Sequence, residues 1–218
     1  MLTANEIVEL HDLKTRAWHL SPEGPGQDPP SSLISEPGEK LETPADWLCA
    51  VARQHRANFD LWHIEDQARA PGATEFELAS VKRRVDQTNQ RRNDLAEELD
   101  RALLGWLGTR SLPNPAAPLN SESPGLIIDR LSILALKVFH TREEAERADA
   151  PQGHEHRNRI RLAILEEQRA DLAGCLGALW AETLAGARRF KLYRQLKMYN
   201  DPSLNPAIYR KLLDEKVR

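Results

Sequence analysis

A single helical pattern in the middle of the chain most constrains its fold. Val85 precedes a run of nine residues without an aliphatic side chain, 86–94, and Leu95 follows it. The apolar residues before and after this run keep the spacing of one amphipathic helix. In that register Thr88 and Arg92 face the apolar side, where polar groups need partners. The sequence therefore predicts a long helix with a polar centre.

Helical spacing recurs along most of the chain, and no segment alternates apolar and polar residues long enough to predict a strand. The short break at Pro71-Gly72 predicts that the helices on either side of it lie antiparallel. The fold class predicted is all-α, an antiparallel bundle of about five to six helices with long loops. The expected helices are 3–20, 43 to about 69, 74 to about 107, 123 to about 140, 154 to about 199, and a short terminal helix from 205.

The N-terminal part differs in composition from the rest. Residues 21–42 are rich in Pro, Gly, Ser and acids, which is typical of a flexible loop. We therefore divide the chain into an N-terminal helix with this acidic loop, 1–43, and an all-α bundle domain, 44–218. If the first helix does not dock, the N-terminal forty residues form an arm. Its expected apolar side carries Ile7, Leu10, Leu13 and Ala17.

Composition narrows the class of protein. Cys49 and Cys175 have apolar neighbours in predicted helices, which indicates small buried side chains rather than a disulfide framework or a metal knuckle. The first residues lack the features of a signal peptide, and no apolar run is long enough for a membrane helix. We therefore expect a cytoplasmic protein without a membrane span.

Charge is unevenly distributed along the chain. Residues 188–218 hold nine Lys or Arg against three acids, a composition that suits an anionic partner. The pI of the whole chain is nevertheless near 6.2. Nucleic acid is therefore an unlikely partner on sequence grounds.

Two predicted neighbouring helices each carry a polar face. Burying such charges singly would cost several kcal/mol each, so the faces must pair with each other, bind water or hold a ligand. The alternative is a pair of solvent-exposed faces with ion pairs four residues apart, such as Lys82 with Asp86. The first face includes Asn58, Trp62, Glu65 and Arg69 with Asp66 beside them, and the second includes Lys82, Asp86, Asn89, Asn93, Glu97 and Asp100.

These faces admit two kinds of ligand. Carboxylate oxygens suit Mg²⁺, and Glu65, Asp66, Asp86 and Asp94 are the candidate metal ligands or general bases. Neighbouring Lys and Arg side chains would also neutralise these acids without a metal. The second option is a phosphate, which guanidinium and ammonium groups would bind. The candidate cations are Arg69, Lys82, Arg92, Arg130, Arg194 and Lys197.

Four segments together carry a family resemblance, which covers about residues 44–209. The segments are Asn58 to Arg69, Lys82 to Asp94, Asn120 to Leu134, and Tyr193 to Pro202. With these segments the chain resembles the bacterial family known as domain of unknown function 4254. The resemblance implies a helical bacterial protein, often encoded near glycosyltransferases of cell-envelope polysaccharide assembly, and it implies no established activity.

The resemblance marks the polar residues that helical spacing had already selected. We therefore expect an interior polar site that binds or processes a phosphorylated sugar or nucleotide-type ligand in envelope polysaccharide metabolism, with or without Mg²⁺. The alternative is a non-catalytic interaction or scaffold protein whose polar cluster is a structural network. The residues leave open whether the protein is an enzyme. The expected ligand-binding residues are Asn58, Trp62, Arg69, Lys82, Asn89, Arg92, Asn93, Asp129, Arg130, Arg194 and Lys197.

Overall fold

The computed structural model describes residues 2–21, 41–196 and 203–206. Within these ranges the chain is helical and contains no β-strand, only an isolated parallel bridge between Leu119 and Arg189. The all-α class predicted from the sequence is confirmed. The helices are α1 (Ala4–His19), α2 (Pro44–Ala68), α3 (Glu75–Gly108), α4 (Pro124–Glu146) and α5 (His154–Leu184).

Threonine caps set the start of the first three helices. Each cap hydroxyl accepts a hydrogen bond from the backbone N–H three residues on, and the acid at that position bonds back to the cap. The cap and acid pairs are Thr3 with Glu6, Thr43 with Asp46, and Thr74 with Glu77. Ser123 precedes α4 as predicted, but its hydroxyl makes no cap hydrogen bond and instead donates to Asp100.

The apolar core lies where α3 and α4 meet α2 and α5. Leu99, Leu103 and Leu107 of α3 are buried with Ile127 and Leu131 of α4. The α4–α5 and α2–α3 pairs make the most extensive contacts, and α3 also packs on α4. The antiparallel order of α2 and α3 stays a prediction. No helix in the described ranges is both long and apolar enough to cross a membrane.

Helix α1 docks on α2, α4 and α5 rather than extending as an arm. Its buried side is confirmed in part, since Ile7 and Leu10 are buried while Leu13 is 64% exposed and Ala17 is exposed. His11 and Thr15 are buried instead. Both contact His55 of α2, because the His11 ring packs on the His55 ring and the Thr15 hydroxyl lies 2.9 Å from Nε2 of His55. Most of the predicted flexible loop, 22–40, lies outside the described residues.

Two further expectations are wrong. Cys49 and Cys175 are exposed, free thiols rather than buried side chains. Helix α5 ends at Leu184 instead of continuing toward residue 199, because Gly186 adopts a left-handed conformation with φ of 70°. Glycine just past a helix end typically closes the last turn. A short helix is predicted from residue 205, and the residues after 206 on which it would continue lie outside the described residues.

Candidate functional site

A buried polar network joins α2 to α4 around Asp129. One carboxylate oxygen of Asp129, Oδ1, accepts hydrogen bonds of 2.5 Å from Nε2 of Gln54 and 2.9 Å from Nδ2 of Asn58. The same amide of Asn58 lies 2.9 Å from the hydroxyl of Ser132. All four residues are buried. Helical spacing explains the convergence, because residues 54 and 58, and residues 129 and 132, each share one helix face.

The network continues from Ser132 into α1 through His55. Nδ1 of His55 lies 2.7 Å from the Ser132 hydroxyl, and Nε2 lies 3.1 Å from the backbone carbonyl oxygen of His11. Because a carbonyl oxygen only accepts, Nε2 carries the proton and Nδ1 accepts from Ser132. Nε2 also contacts the Thr15 hydroxyl at 2.9 Å. Burial lowers the pKa of His55 to about 3, so this imidazole is neutral near pH 7.

Arg92 of α3 completes the environment of Asp129. Its Nε lies 3.7 Å from Oδ1 of Asp129, an ion-pair distance too long for a hydrogen bond. Burial raises the pKa of Asp129, while the nearby Arg92 charge and the two amide donors lower it. Among the described residues, Nε of Arg92 has no hydrogen-bond partner. The guanidinium is therefore held near Asp129 by charge, while its Nε–H donor makes no hydrogen bond.

A second buried carboxylate, Asp100, ties α3 to the start of α4. Its Oδ1 accepts a hydrogen bond of 2.7 Å from the backbone N–H of Gly125, and its Oδ2 accepts from the hydroxyl of Ser123. Burial raises the pKa of Asp100 to about 6, although both hydrogen bonds oppose this shift. The two helices are thus joined by a carboxylate that is costly to ionise.

Each of the four predicted catalytic acids makes a polar contact with a residue three or four positions away in the chain. Glu65 and Asp66 pair with Arg69 at 2.8 and 3.5 Å, and all three side chains are largely exposed. Asp86 pairs with Lys82 one turn away, and Asp94 accepts from Gln90 at 2.8 Å. These contacts match the exposed i, i+4 arrangement that the sequence offered as the alternative. A role for these acids in Mg²⁺ binding or catalysis stays a prediction.

Four of the six predicted cations lie beside acids, and no two of the four share the same acid. Arg69 and Lys82 make the exposed pairs just described, and Arg92 lies beside Asp129. The mostly apolar sequence around Arg130 predicts apolar surroundings for it, but Arg130 is exposed and pairs with Glu122 at 2.8 Å. Its neighbour in sequence, Asp129, is buried, because adjacent positions on a helix point about 100° apart. Arg194 is exposed, and Lys197 lies outside the described residues.

The remaining predicted ligand-binding residues lie on α2 and α3. Asn93 is buried and Asn89, one turn earlier, is half-buried. A terminal nitrogen of Arg92 donates a long hydrogen bond of 3.5 Å to the side-chain oxygen of Asn93. Trp62 stacks on the ring of His140, with ring centroids 4.9 Å apart. The structure therefore brings Asn58, Arg92, Asn93 and Asp129 together and places Trp62 beside a histidine.

Arg130 instead faces an open groove between α4 and α5, with a volume of about 960 Å³. Lys137 and Arg188 line the same groove, together with the acids Glu122 and Glu182. Arg188 pairs with Glu182 at 2.8 Å. Two of these three groove cations, Arg130 and Arg188, are therefore paired with acids. The groove is separate from the network around Asp129.

Sequence reasoning missed several members of the network and a cluster of histidines. Gln54, His55 and Ser132 carried a usable signal, since they are polar residues on the buried faces of helices. One ring nitrogen each of His19, His63 and His140 lies within 4.8 Å of the others. In the described part of the chain, this is the one group of three His, Cys, Asp or Glu side chains close enough for a shared metal ion. The three histidines come from three helices, so no local spacing in the sequence indicates the cluster.

Burial also sets the protonation of this cluster. Burial, together with the charges of the neighbouring His19 and His140, lowers the pKa of His63 to about 4. Burial likewise lowers the pKa of His19. Neutral imidazoles are therefore expected at these two positions near pH 7.

Fold and network together define a class: an all-α protein in which a buried carboxylate, two amides, a hydroxyl and a guanidinium connect three helices. The family described as "Protein of unknown function (DUF4254)" matches residues 49–192, and the chain belongs to this family. That range contains the whole Asp129 network except its extension into α1. No curated protein and no solved structure matches the chain.

Proposed function

We propose that this protein binds a small phosphorylated ligand, of the sugar phosphate or nucleotide sugar type, at the polar centre around Arg92 and Asp129. The supporting observation is the condition of Arg92, whose side chain is only 22% exposed. Asp129 holds its charge at 3.7 Å, yet its Nε has no hydrogen-bond partner among the described residues. A guanidinium that is held in place and keeps its Nε–H donor unused is well suited to a phosphate group.

Neighbouring amides support recognition of the sugar part. Asn93 is buried beside Arg92, and Asn89 lies one helical turn before it. Side-chain amides donate and accept hydrogen bonds, which is the combination that sugar hydroxyls require. A few such polar groups at a fixed position orient a ligand more than they add to its affinity.

The proposal includes a biological setting carried by the family resemblance. It places the protein in the bacterial cytoplasm, with a ligand drawn from envelope polysaccharide metabolism. The proposal is one of binding. If turnover is found, Glu65, Asp66, Asp86 and Asp94 are the predicted metal ligands or general bases, with Mg²⁺ entering together with a nucleotide phosphate.

Calorimetric titration of the untagged full chain tests the proposal. The panel contains inorganic phosphate, hexose phosphates and nucleotide sugars, each with and without Mg²⁺. We expect saturable binding, and we expect Arg92→Ala to weaken it at least about tenfold, since hydrogen bonds to charged groups contribute roughly 1.5–3 kcal/mol. No heat and no thermal shift across the panel would overturn the proposal.

A matched variant controls for charge. Arg83→Ala removes the same charge from an exposed position of α3. It should bind the ligand like the unmodified chain. Equal losses in both variants would indicate general attraction to a basic surface and contradict a site at Arg92.

A specific observation favours a second candidate, a non-catalytic interaction protein. Gln54, Asn58 and Ser132 satisfy Asp129 and one another, as in a network that only stabilises the fold. In that case no ligand of the panel should bind. Arg92→Ala should lower the free energy of unfolding under either candidate, because it leaves Asp129 without its counter-charge, so urea denaturation serves as a control on folding. Saturable binding that Arg92→Ala weakens and Arg83→Ala keeps separates the ligand site from the structural network.

A further inference from the structure

Three histidines from three helices meet at one side of the bundle. His19 ends α1, His63 lies in α2 and His140 lies in α4. The ring centroids are 5.0 Å apart for His19 and His63, 5.0 Å for His19 and His140, and 5.6 Å for His63 and His140. The rings are inclined to one another at 70° to 78°. The three imidazoles therefore surround one point instead of stacking.

Hydrogen bonds fix the orientation of two of these rings. Nδ1 of His19 lies 2.7 Å from the backbone carbonyl oxygen of Thr15, and Nδ1 of His140 lies 2.9 Å from a carboxylate oxygen of Glu143. Both oxygens accept, so each Nδ1 carries the proton and each Nε2 has a free lone pair. Metal-binding histidines are typically held in this way, with the second ring nitrogen donating to a carbonyl or carboxylate oxygen.

The opposite nitrogens have no hydrogen-bond partner. Nε2 of His19, of His63 and of His140 are all buried and unpartnered among the described residues. Buried polar atoms are normally satisfied, so the two lone pairs of His19 and His140 and the unpartnered Nε2 of His63 call for a shared cation or donor. Aromatic packing alone does not satisfy them, although Phe139 stacks on His19 and Trp62 stacks on His140.

We propose that His19, His63 and His140 form a binding site for a divalent transition metal ion, Zn²⁺ in the first place. Imidazole nitrogen is a ligand that Zn²⁺ favours, with Zn–N distances of about 2.0–2.1 Å, which place the nitrogens about 3.3 Å apart in a tetrahedron. One nitrogen of each ring already lies within 4.8 Å of the others, so side-chain movements of about 1 Å complete the geometry. Three protein ligands leave a fourth position for water or a substrate atom.

The site is reachable and is separate from the centre at Arg92. The side chains of His63 and His140 are 14% and 23% exposed, so an ion can enter from solvent. His63 and His140 lie inside the family match of 49–192, whereas His19 lies outside it. The α1 helix, which also supplies Thr15 to the buried network, thus provides the third ligand.

Zinc binding to the untagged full chain is the direct test. The protein is stripped with a chelator and titrated with ZnCl₂ alone, in competition with a coloured chelator. We expect one Zn²⁺ per chain and, in X-ray absorption spectra, nitrogen or oxygen neighbours at about 2.0–2.1 Å. Co²⁺ should bind at the same site with the intense visible bands of a tetrahedral complex. Failure to bind zinc stoichiometrically, or a Co²⁺ spectrum of six-coordinate form, would overturn the proposal.

Variants assign the ligands. His63→Ala removes a ligand and should weaken zinc binding at least about 100-fold. Glu143→Gln changes a carboxylate that only positions His140, and it should weaken zinc binding about tenfold. Hydrogen-bond partners of metal ligands typically contribute 10- to 100-fold to metal affinity. His156→Ala removes an exposed histidine of α5 and should bind zinc unchanged. Unchanged affinity in His63→Ala would contradict the site. If that variant does not fold, the spectra of the unmodified chain decide. No phosphorylated compound is present, so the outcome is independent of the proposed ligand site.

Discussion

The backbone N–H of Gly125 donates a 2.7 Å hydrogen bond to Oδ1 of Asp100. The contact brings the first turn of α4 against the C-terminal half of α3, two helical turns after Arg92 and Asn93. A Cβ at Gly125 would overlap the carbonyl oxygen of Ala96 and lie 2.9 Å from the carboxyl carbon of Asp100. The approach of these two helices therefore requires both the glycine and the carboxylate.

Gly125→Ala should destabilise the fold by about 3 kcal/mol, because overlap with a backbone atom is relieved only by separating the helices. Urea denaturation measures the change. Gly105→Ala is the matched control, since a Cβ there meets nothing within 4 Å. That variant should gain roughly 0.5–1 kcal/mol from better helix propensity. Equal behaviour of the two variants would contradict the close approach.

Asp100 should make stability fall as the pH rises from 4 to 6. The pKa of Asp100 is about 6 in the folded protein, above its ordinary value of 3.8, so the folded state binds more protons in this window. The contribution is fully present below pH 3.8 and is lost through pH 6, on the order of 3 kcal/mol. Asp100→Asn removes the titration. The difference in unfolding free energy between the two proteins, measured from pH 4 to 7, should follow this slope; a flat difference would contradict it.

His55 should act in the opposite direction. Its pKa of about 3 in the folded state lies below the ordinary 6.5, so the unfolded chain binds the extra proton between these values. Stability from His55 is therefore present above pH 6.5 and lost as the pH falls, on the order of 3 kcal/mol by pH 4. His55→Gln should reduce this acid sensitivity, while His156→Gln, at an exposed position, should not. In NMR spectra the His55 ring should keep neutral shifts at pH 4.

Both cysteines should react with a maleimide in the folded protein. Cys49 and Cys175 are exposed and free. Mass spectrometry after brief labelling without denaturant should therefore find two modified thiols. Protection of either thiol until urea is added would show that it is buried, as the sequence pattern had suggested. Cys175 also lines the groove beside Arg130, so its label reports on that groove.

The sequence predicted the helices well where a local signal marks their ends. Thr43 and Thr74 begin α2 and α3 as expected, because a capping box is formed by residues only three positions apart. The end of α5 was missed, because the apolar spacing continues past Gly186 while the backbone does not. The buried side of α1 was predicted only for Ile7 and Leu10. The burial of His11 and Thr15 depends on His55, which belongs to another helix.

The polar centre also has one part that the local sequence predicts and another that depends on how the helices pack. The amphipathic pattern of residues 81–106 by itself selected Arg92 as a polar residue facing the core, and its side chain is indeed largely buried. Helical spacing is a property of the chain, so it can be read without coordinates. Only the tertiary structure decided which polar groups meet: Asp129 with Gln54, and His19 with His63 and His140. These groups lie on different helices, and their distances depend on how the helices pack, which no local spacing encodes.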